Sequence, residues 1–336
     1  MTDLTAPQPA PSSRRLSPAA RRWLGRLARF GTIIGLTVMI LTFSWLSPRA
    51  FPSVLNFTNV MNQASLTMII AAGLTVAVLV GELDLSIGFA ASLHGVLVTG
   101  LIVASGLPIW AAVALILAAG ALVGLINGLI VTKLKVNSVI ATLGVGTILT
   151  GLGFAYSAGV PIVAGVPEAF LQISLGRWLF GIPNNIVLMV LVLGGLWLLV
   201  EKTAIGQELQ AVGGNPAAAR LAGIDIDRVK ILGFVISGTC AALVGILLAS
   251  RLGSGTMSAG DGYLLTAFAS VFLGSATLRD GEFHILGTLV GALIIAFGFN
   301  GLNIFGAPTW SQYVFQGAIL ILAVGLSSLG RHLAES

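Results

Sequence analysis

Charge is scarce in this sequence. Only 9% of the 336 residues are Asp, Glu, Lys or Arg, whereas a soluble globular domain carries about 25%. Too little polar surface remains to cover a water-facing fold, and the mean hydropathy of +1.01 says the same. Cysteine is nearly absent. Cys240 stands alone in an apolar run, which excludes an internal disulfide and reads as a small core residue. No Gly-Lys dipeptide occurs, so the chain has no P-loop to cradle ATP phosphates. The three histidines, His94, His284 and His332, are too widely spaced for a metal set. Nothing resembles a nucleophile elbow. Catalytic, cofactor and metal chemistry are therefore not called for.

What is abundant is apolar sequence and glycine. The 43 glycines are nearly twice the ordinary share of about 7%, as expected where small residues let helices approach closely in a membrane. Runs of about 20 apolar residues cross a bilayer, and ten candidates appear. They are 30–46, 60–81, 85–104, 108–131, 138–157, 185–200, 231–250, 262–278, 284–305 and 312–329. The run at 262–278 is tightly bracketed by Asp261 and Arg279, so a re-entrant segment is the alternative there. The pair 60–81 and 85–104 is separated by Gly81–Gly88 and could form one broken element. The fold class expected is all-α, a polytopic membrane bundle of about ten transmembrane helices.

The net charge of +5 would suggest a nucleic-acid partner if the basic residues were clustered in a soluble fold. They lie instead in the loops between apolar runs. With the N-terminus in the cytoplasm, ten crossings return the C-terminus there. Arg14, Arg15, Arg21, Arg22, Arg26, Arg29, Lys133, Lys135, Lys202, Arg220, Arg228, Lys230, Arg279 and Arg331 then lie inside, and only Arg49, Arg177 and Arg251 outside: 14 and 3 of the 17. This is the positive-inside bias. Residues 1–29 read as a disordered basic cytoplasmic segment and 331–336 as a cytoplasmic tail. The membrane domain lies between them, at 30–330. The run 30–46 has no A-x-A-like cleavage site after it and reads as a retained anchor. An inner membrane, with lipid as surrounding partner and no nucleic acid, is the expected setting.

A faint repeat is present. Leu125-Ile126-Asn127-Gly128-Leu129 and Gly298-Phe299-Asn300-Gly301-Leu302 end the fourth and ninth runs, 173 residues apart. If these ends correspond, spans 2–5 and 7–10 form an inverted pair of the kind transporters use.

Two segments outside the apolar runs stand out. In the loop 201–230, Asn215 is a good N-cap, Pro216 suits the first helical position, and alanines follow. Arg220 sits in the last turn, and Gly223 can close the helix. So short an exposed helix is unstable alone and either docks on a partner or is a plain surface turn. The second segment is Val80–Gly88. Its Glu82 and Asp84 are the only Lys, Arg, Asp or Glu side chains between Asn59 and Val131. Acids so close to membrane depth usually carry function, although Asp84 could simply cap the third helix beside Ser86. Within the runs, Asn62, Gln63, Ser65, Asn127, Asn300, Asn303, Gln312 and Gln316 either join helices or line a solute path.

These residues carry a resemblance. Gly81-Glu82-Leu83-Asp84-Leu85-Ser86-Ile87-Gly88 is similar to the G-G-[IL]-D-L-S-[VI]-G signature of permeases in ribose-type ABC sugar importers. Lys133–Val136 with Ile140–Gly144, Gly213–Ile224, Asp227–Lys230, Leu248–Ser254 and Gly287–Ala292 resemble the same family in order. The resemblance spans roughly residues 50–329. It implies a fold like that of type II ABC importers and a monosaccharide or similar small polar solute as cargo. It further implies a second permease chain (a copy or a paralogue), two cytoplasmic ABC ATPase subunits and a periplasmic solute-binding protein. By the same likeness, Asn215, Pro216, Ala218, Ala219, Arg220, Leu221 and Gly223 couple the permease to its ATPase. Asn62, Gln63, Ser65, Glu82, Asp84 and Asn300 are candidates for the path or gate. Two residues depart from the pattern. Glu82 replaces the usual second glycine, and Ala217 stands where an acid is common. A branched-chain amino-acid permease shares the architecture, with a poorer match to Asp-Leu-Ser. An ion-coupled secondary transporter would need ionisable groups at mid-membrane, of which the chain has almost none.

Overall fold

A backbone in hydrocarbon must satisfy its own hydrogen bonds, which for these apolar runs means helix. A computed structural model describes residues 18–275 and 281–335. Arg14, Arg15 and Arg279 of the topology argument lie outside them. Among the described residues the chain forms thirteen helices: α1 (Pro18–Leu46), α2 (Val54–Leu79), α3 (Ile87–Val103), α4 (Ile109–Lys133), α5 (Ser138–Ser157), α6 (Glu168–Leu175), α7 (Asn184–Lys202), α8 (Ala204–Gly214), α9 (Pro216–Leu221), α10 (Ile226–Leu252), α11 (Asp261–Ser275), α12 (Ile285–Ile304) and α13 (Thr309–Glu335).

Each of the ten apolar runs falls on one of these helices. Among the described residues six helices, α2, α4, α5, α7, α10 and α12, are long and apolar enough to cross a membrane. The run at 262–278 becomes α11, with 15 residues. At 1.5 Å per residue it is about 22 Å long, short of the ~30 Å hydrocarbon core. α2 and α3 are separate helices with a turn at 80–86 between them. α1 reaches back to Pro18, so the expectation of disorder over 1–29 is corrected at 18–29. That stretch opens on proline and continues in alanine, leucine and arginine, which favour helix. Two helices were not foreseen, α6 after Pro167 and α8 inside the basic loop.

α2 and α10 form the centre. Buried residues make up 78% and 67% of their most apolar windows, against 28% for α4 and for α7, whose outer faces are exposed. The glycine excess has its use at the α4–α10 crossing. A Cβ on Gly124 would run into the Phe234 carbonyl, and one on Gly238 into the Gly120 carbonyl. Only bare backbones fit so close together. The contacts also have a symmetry. Pairs α4–α10, α3–α10, α3–α5, α3–α4 and α4–α5 have counterparts α12–α2, α11–α2, α11–α13, α11–α12 and α12–α13 when α2–α5 are exchanged with α10–α13.

Candidate functional site

The chain's chemistry gathers where α8, α9 and α10 meet the α2–α3 turn. α9 forms for local reasons. The Asn215 side chain accepts from the Ala218 N–H at 3.0 Å, and Pro216 occupies the first turn. Gly223 takes φ +84°, and the Ile224 N–H returns to the Ala219 carbonyl at 3.1 Å, closing the helix as left-handed glycines do. Of its six residues only Ala219 is buried. Arg220 is exposed, and Leu221 is 91% exposed. α8 approaches the end of α2 so closely that a Cβ on Gly213 would meet the Leu79 carbonyl oxygen. Beside this loop the exposed Lys133 Nζ donates to Asp227 Oδ2 at 2.8 Å. That bond, ahead of other effects, holds the Asp227 carboxyl below its ordinary range.

The α2–α3 turn is the opposite kind of object. Gly81 permits it, at φ +82°. Asp84 is fully buried. Its Oδ1 accepts from the Ser86 hydroxyl at 2.6 Å and the Ser86 N–H at 3.0 Å, and its Oδ2 accepts from the Ser237 hydroxyl on α10 at 2.7 Å. Among the described residues no basic side chain pairs with it, so three aligned donors stand in for a counter-ion. Asn127 of α4 donates to the Ser86 hydroxyl at 2.8 Å. The Leu83 and Leu85 N–H groups donate to Ser138 and Thr142 of α5, at 3.3 and 3.0 Å. Glu82 takes the Lys230 ammonium at 2.5 Å, with both side chains mostly buried. Thus the extra acid at position 82 has a cation of its own. The turn is fastened to α10 at Lys230 and Ser237, to α4 at Asn127 and to α5 at Ser138 and Thr142. Lys230 and Ser237 were missed as site residues because their partners are 148 and 153 positions away. The only hint was the polarity of Ser237 in an apolar run.

The remaining polar candidates separate. Ser65 is buried, and its hydroxyl donates to the Met61 carbonyl one turn back at 2.6 Å. Asn62 accepts from Asn185 of α7 at 3.1 Å, and Asn185 in turn accepts from Ser174 of α6 at 2.9 Å. Both groups act between or within helices. Gln63 and Asn300 come together. They line a cavity of about 300 Å³ between α2, α11 and α12, with Thr67, Arg251, Tyr263 and Thr266. Asn300 also exchanges two 2.9 Å bonds with Asn56. Arg251, placed by the sequence only among the outside loop charges, puts a cation on this wall.

The apolar helical bundle, its polar cavity and its short exposed helix suit a membrane transport permease. The chain belongs to the family described as "Branched-chain amino acid transport system / permease component", which matches residues 56–324. It is 37% identical to the Ribose import permease protein RbsC of Haemophilus influenzae, covering 87% of this chain and 91% of that one. The protein of the same name from Bacillus subtilis is 39% identical, with 89% and 92% covered. The D-allose transport system permease protein AlsC of Escherichia coli is 33% identical, with 90% and 92% covered. No solved structure matches.

Proposed function

We propose that this chain is the membrane-spanning permease of a bacterial ABC importer for a monosaccharide or a similar small polar solute. Separate ATPase subunits power it, and a periplasmic solute-binding protein supplies it. The observation that carries this reading is α9, a helix capped at both ends that leaves Arg220 and Leu221 uncovered. Its exposure suits a partner that completes it, and the family resemblance names that partner as the ATPase. The relatives named for ribose and allose favour a sugar over a branched-chain amino acid, although the family's description mentions the latter.

Movement of α9 passes directly into α10, and α10 holds Glu82 through Lys230 and Asp84 through Ser237. We read the α2–α3 turn as the element that carries coupling into α3, α4 and α5. The cavity lined by Gln63 and Asn300 is the best candidate for part of the path, because amides there can replace the water a polar solute loses on entry. Asn62 and Ser65, bonded between and within helices, are the weaker candidates. A path between two such chains, paired as copies or paralogues, is what the family resemblance implies. Ten spans with both ends cytoplasmic agree with the distribution of Lys and Arg. The exchange symmetry of the helix contacts supports an inverted repeat of spans 2–5 and 7–10.

Uptake in proteoliposomes tests the energetics. Transport is expected to require ATPase subunits, the binding protein and ATP on the ATPase side, and to survive collapse of the proton gradient. Uptake abolished by an uncoupler at constant ATP would sink the reading. Reporter fusions test the topology. Those after residues 160 and 255 are expected to read periplasmic and one after 215 cytoplasmic; a cytoplasmic signal at 160 overturns the ten-span arrangement.

A further inference from the structure

A second cavity is larger than the polar one. A groove of about 870 Å³ runs between α1, α2, α7 and α12. α1 packs against α12 but stands off α7, and the gap between them is the groove. On α12 its wall is the stripe Ile285, Leu289, Leu293 and Phe297. At 1.5 Å per residue that stripe is about 18 Å long, comparable with one leaflet of a ~30 Å hydrocarbon core. No charged side chain lines the groove. The only hydroxyls on it are Ser44 and Ser53 at one end, and the Ser53 oxygen is taken up capping α2 and donating to the Ala50 carbonyl. A polar solute would find no replacement for its water there, and water itself avoids an apolar cavity of this kind.

The other end has a cation. Trp197 lines the groove, and the exposed Lys202 Nζ lies 5.6 Å from the centre of its ring. Lys202 closes α7 on the side that also carries the basic loop 201–230. Among the described residues it makes no ion pair. We infer that this groove is a binding site for an anionic phospholipid of the cytoplasmic leaflet, with an acyl chain along the α12 stripe and the phosphate headgroup at Lys202. The inference rests on the proposed orientation, which puts Lys202 inside. Chain-length fit, apolar lining and a single cation at the mouth point to the same occupant. Met61 and Met189, both on the groove wall, are flexible side chains that adapt to an irregular chain.

The test uses the full-length chain in nanodiscs containing phosphatidylglycerol with a photoactivatable group on the acyl chain. Cross-links are expected at Met61, Met189 and Leu289. A matched phosphatidylcholine probe should label these sites about fivefold less, since one basic residue near the surface is worth about 1 kcal/mol to an anionic lipid. Lys202→Gln should erase that preference while leaving insertion intact. Gly194 lines the groove and has open space where a Cβ would sit. Gly194→Trp should therefore fill the groove and remove the cross-links. Labelling spread evenly over the outer faces of α4 and α7, or unchanged by both variants, would overturn the inference. So would cross-links to a second copy of the chain in place of lipid. Labelling does not depend on transport, so failure here is distinguishable from failure of the importer reading.

Discussion

α9 and the α2–α3 turn are both short, both lie between spans and both attach to α10, yet they are built in opposite ways. Around α9 almost every side chain meets solvent and the hydrogen bonds are local caps. Around Asp84 the polar side chains that bond it, Ser86, Asn127 and Ser237, are buried, and the bonds reach α4, α5 and α10 across 40 to 150 positions of sequence. The turn is complete within this chain. α9 is a finished helix with an unfinished surface. The difference separates an element fastened internally from one whose surface is left exposed, and it predicts different consequences when each is damaged.

The largest effect is expected at Asp84. Asp84→Ala strands the Ser86 and Ser237 hydroxyls in the interior, and each unpaired buried group costs about 1–3 kcal/mol. The purified chain should unfold at a clearly lower temperature in detergent, and Asp84→Asn should lose less. An unchanged melting temperature for Asp84→Ala would mean that the turn is not fastened as described.

Arg220→Glu should behave the other way. Expression, insertion and melting temperature should match the parent, because the side chain touches nothing that holds the fold. Association with the ATPase subunits should weaken by about 2 kcal/mol, roughly thirtyfold, as for a central interface arginine, and uptake should vanish. Normal binding and uptake would show that the loop is only a connector.

Gly223→Val is expected to be the mildest. The residue sits at φ +84°, where a side chain costs about 1–2 kcal/mol, but the strain falls on a helix end facing water. Transport should drop in part, with stability nearly intact. A loss as complete as that of Arg220→Glu would place Gly223 in the contact surface itself.

What could be seen in the sequence follows the same division. α9 was legible to its last residue because caps are read from neighbours: Asn215, Pro216 and Gly223 lie within nine positions. The apolar runs were legible because bilayer thickness sets their length. α8 was overlooked although Thr203 caps it and Ile205, Leu209 and Val212 mark one face, since the loop was read for charge. The partners of Glu82 and Asp84 were not legible at all. Nothing in a local pattern says that Lys230 belongs to one acid and Ser237 to the other, because tertiary packing alone brings them together. The polar candidates of α2 look alike in sequence, and only helix rotation sends Gln63 to a cavity and Ser65 into the core.

Gly213 shows what such packing means mechanically. α8 rests on the Leu79 carbonyl with no side chain interposed. Most helix contacts have a compliant layer, in which rotamers yield before backbones move. Here that layer is missing, so a push on α8 reaches the end of α2 with little slack and little delay. The contact behaves as a rigid bearing, and its clearance is smaller than a methyl group.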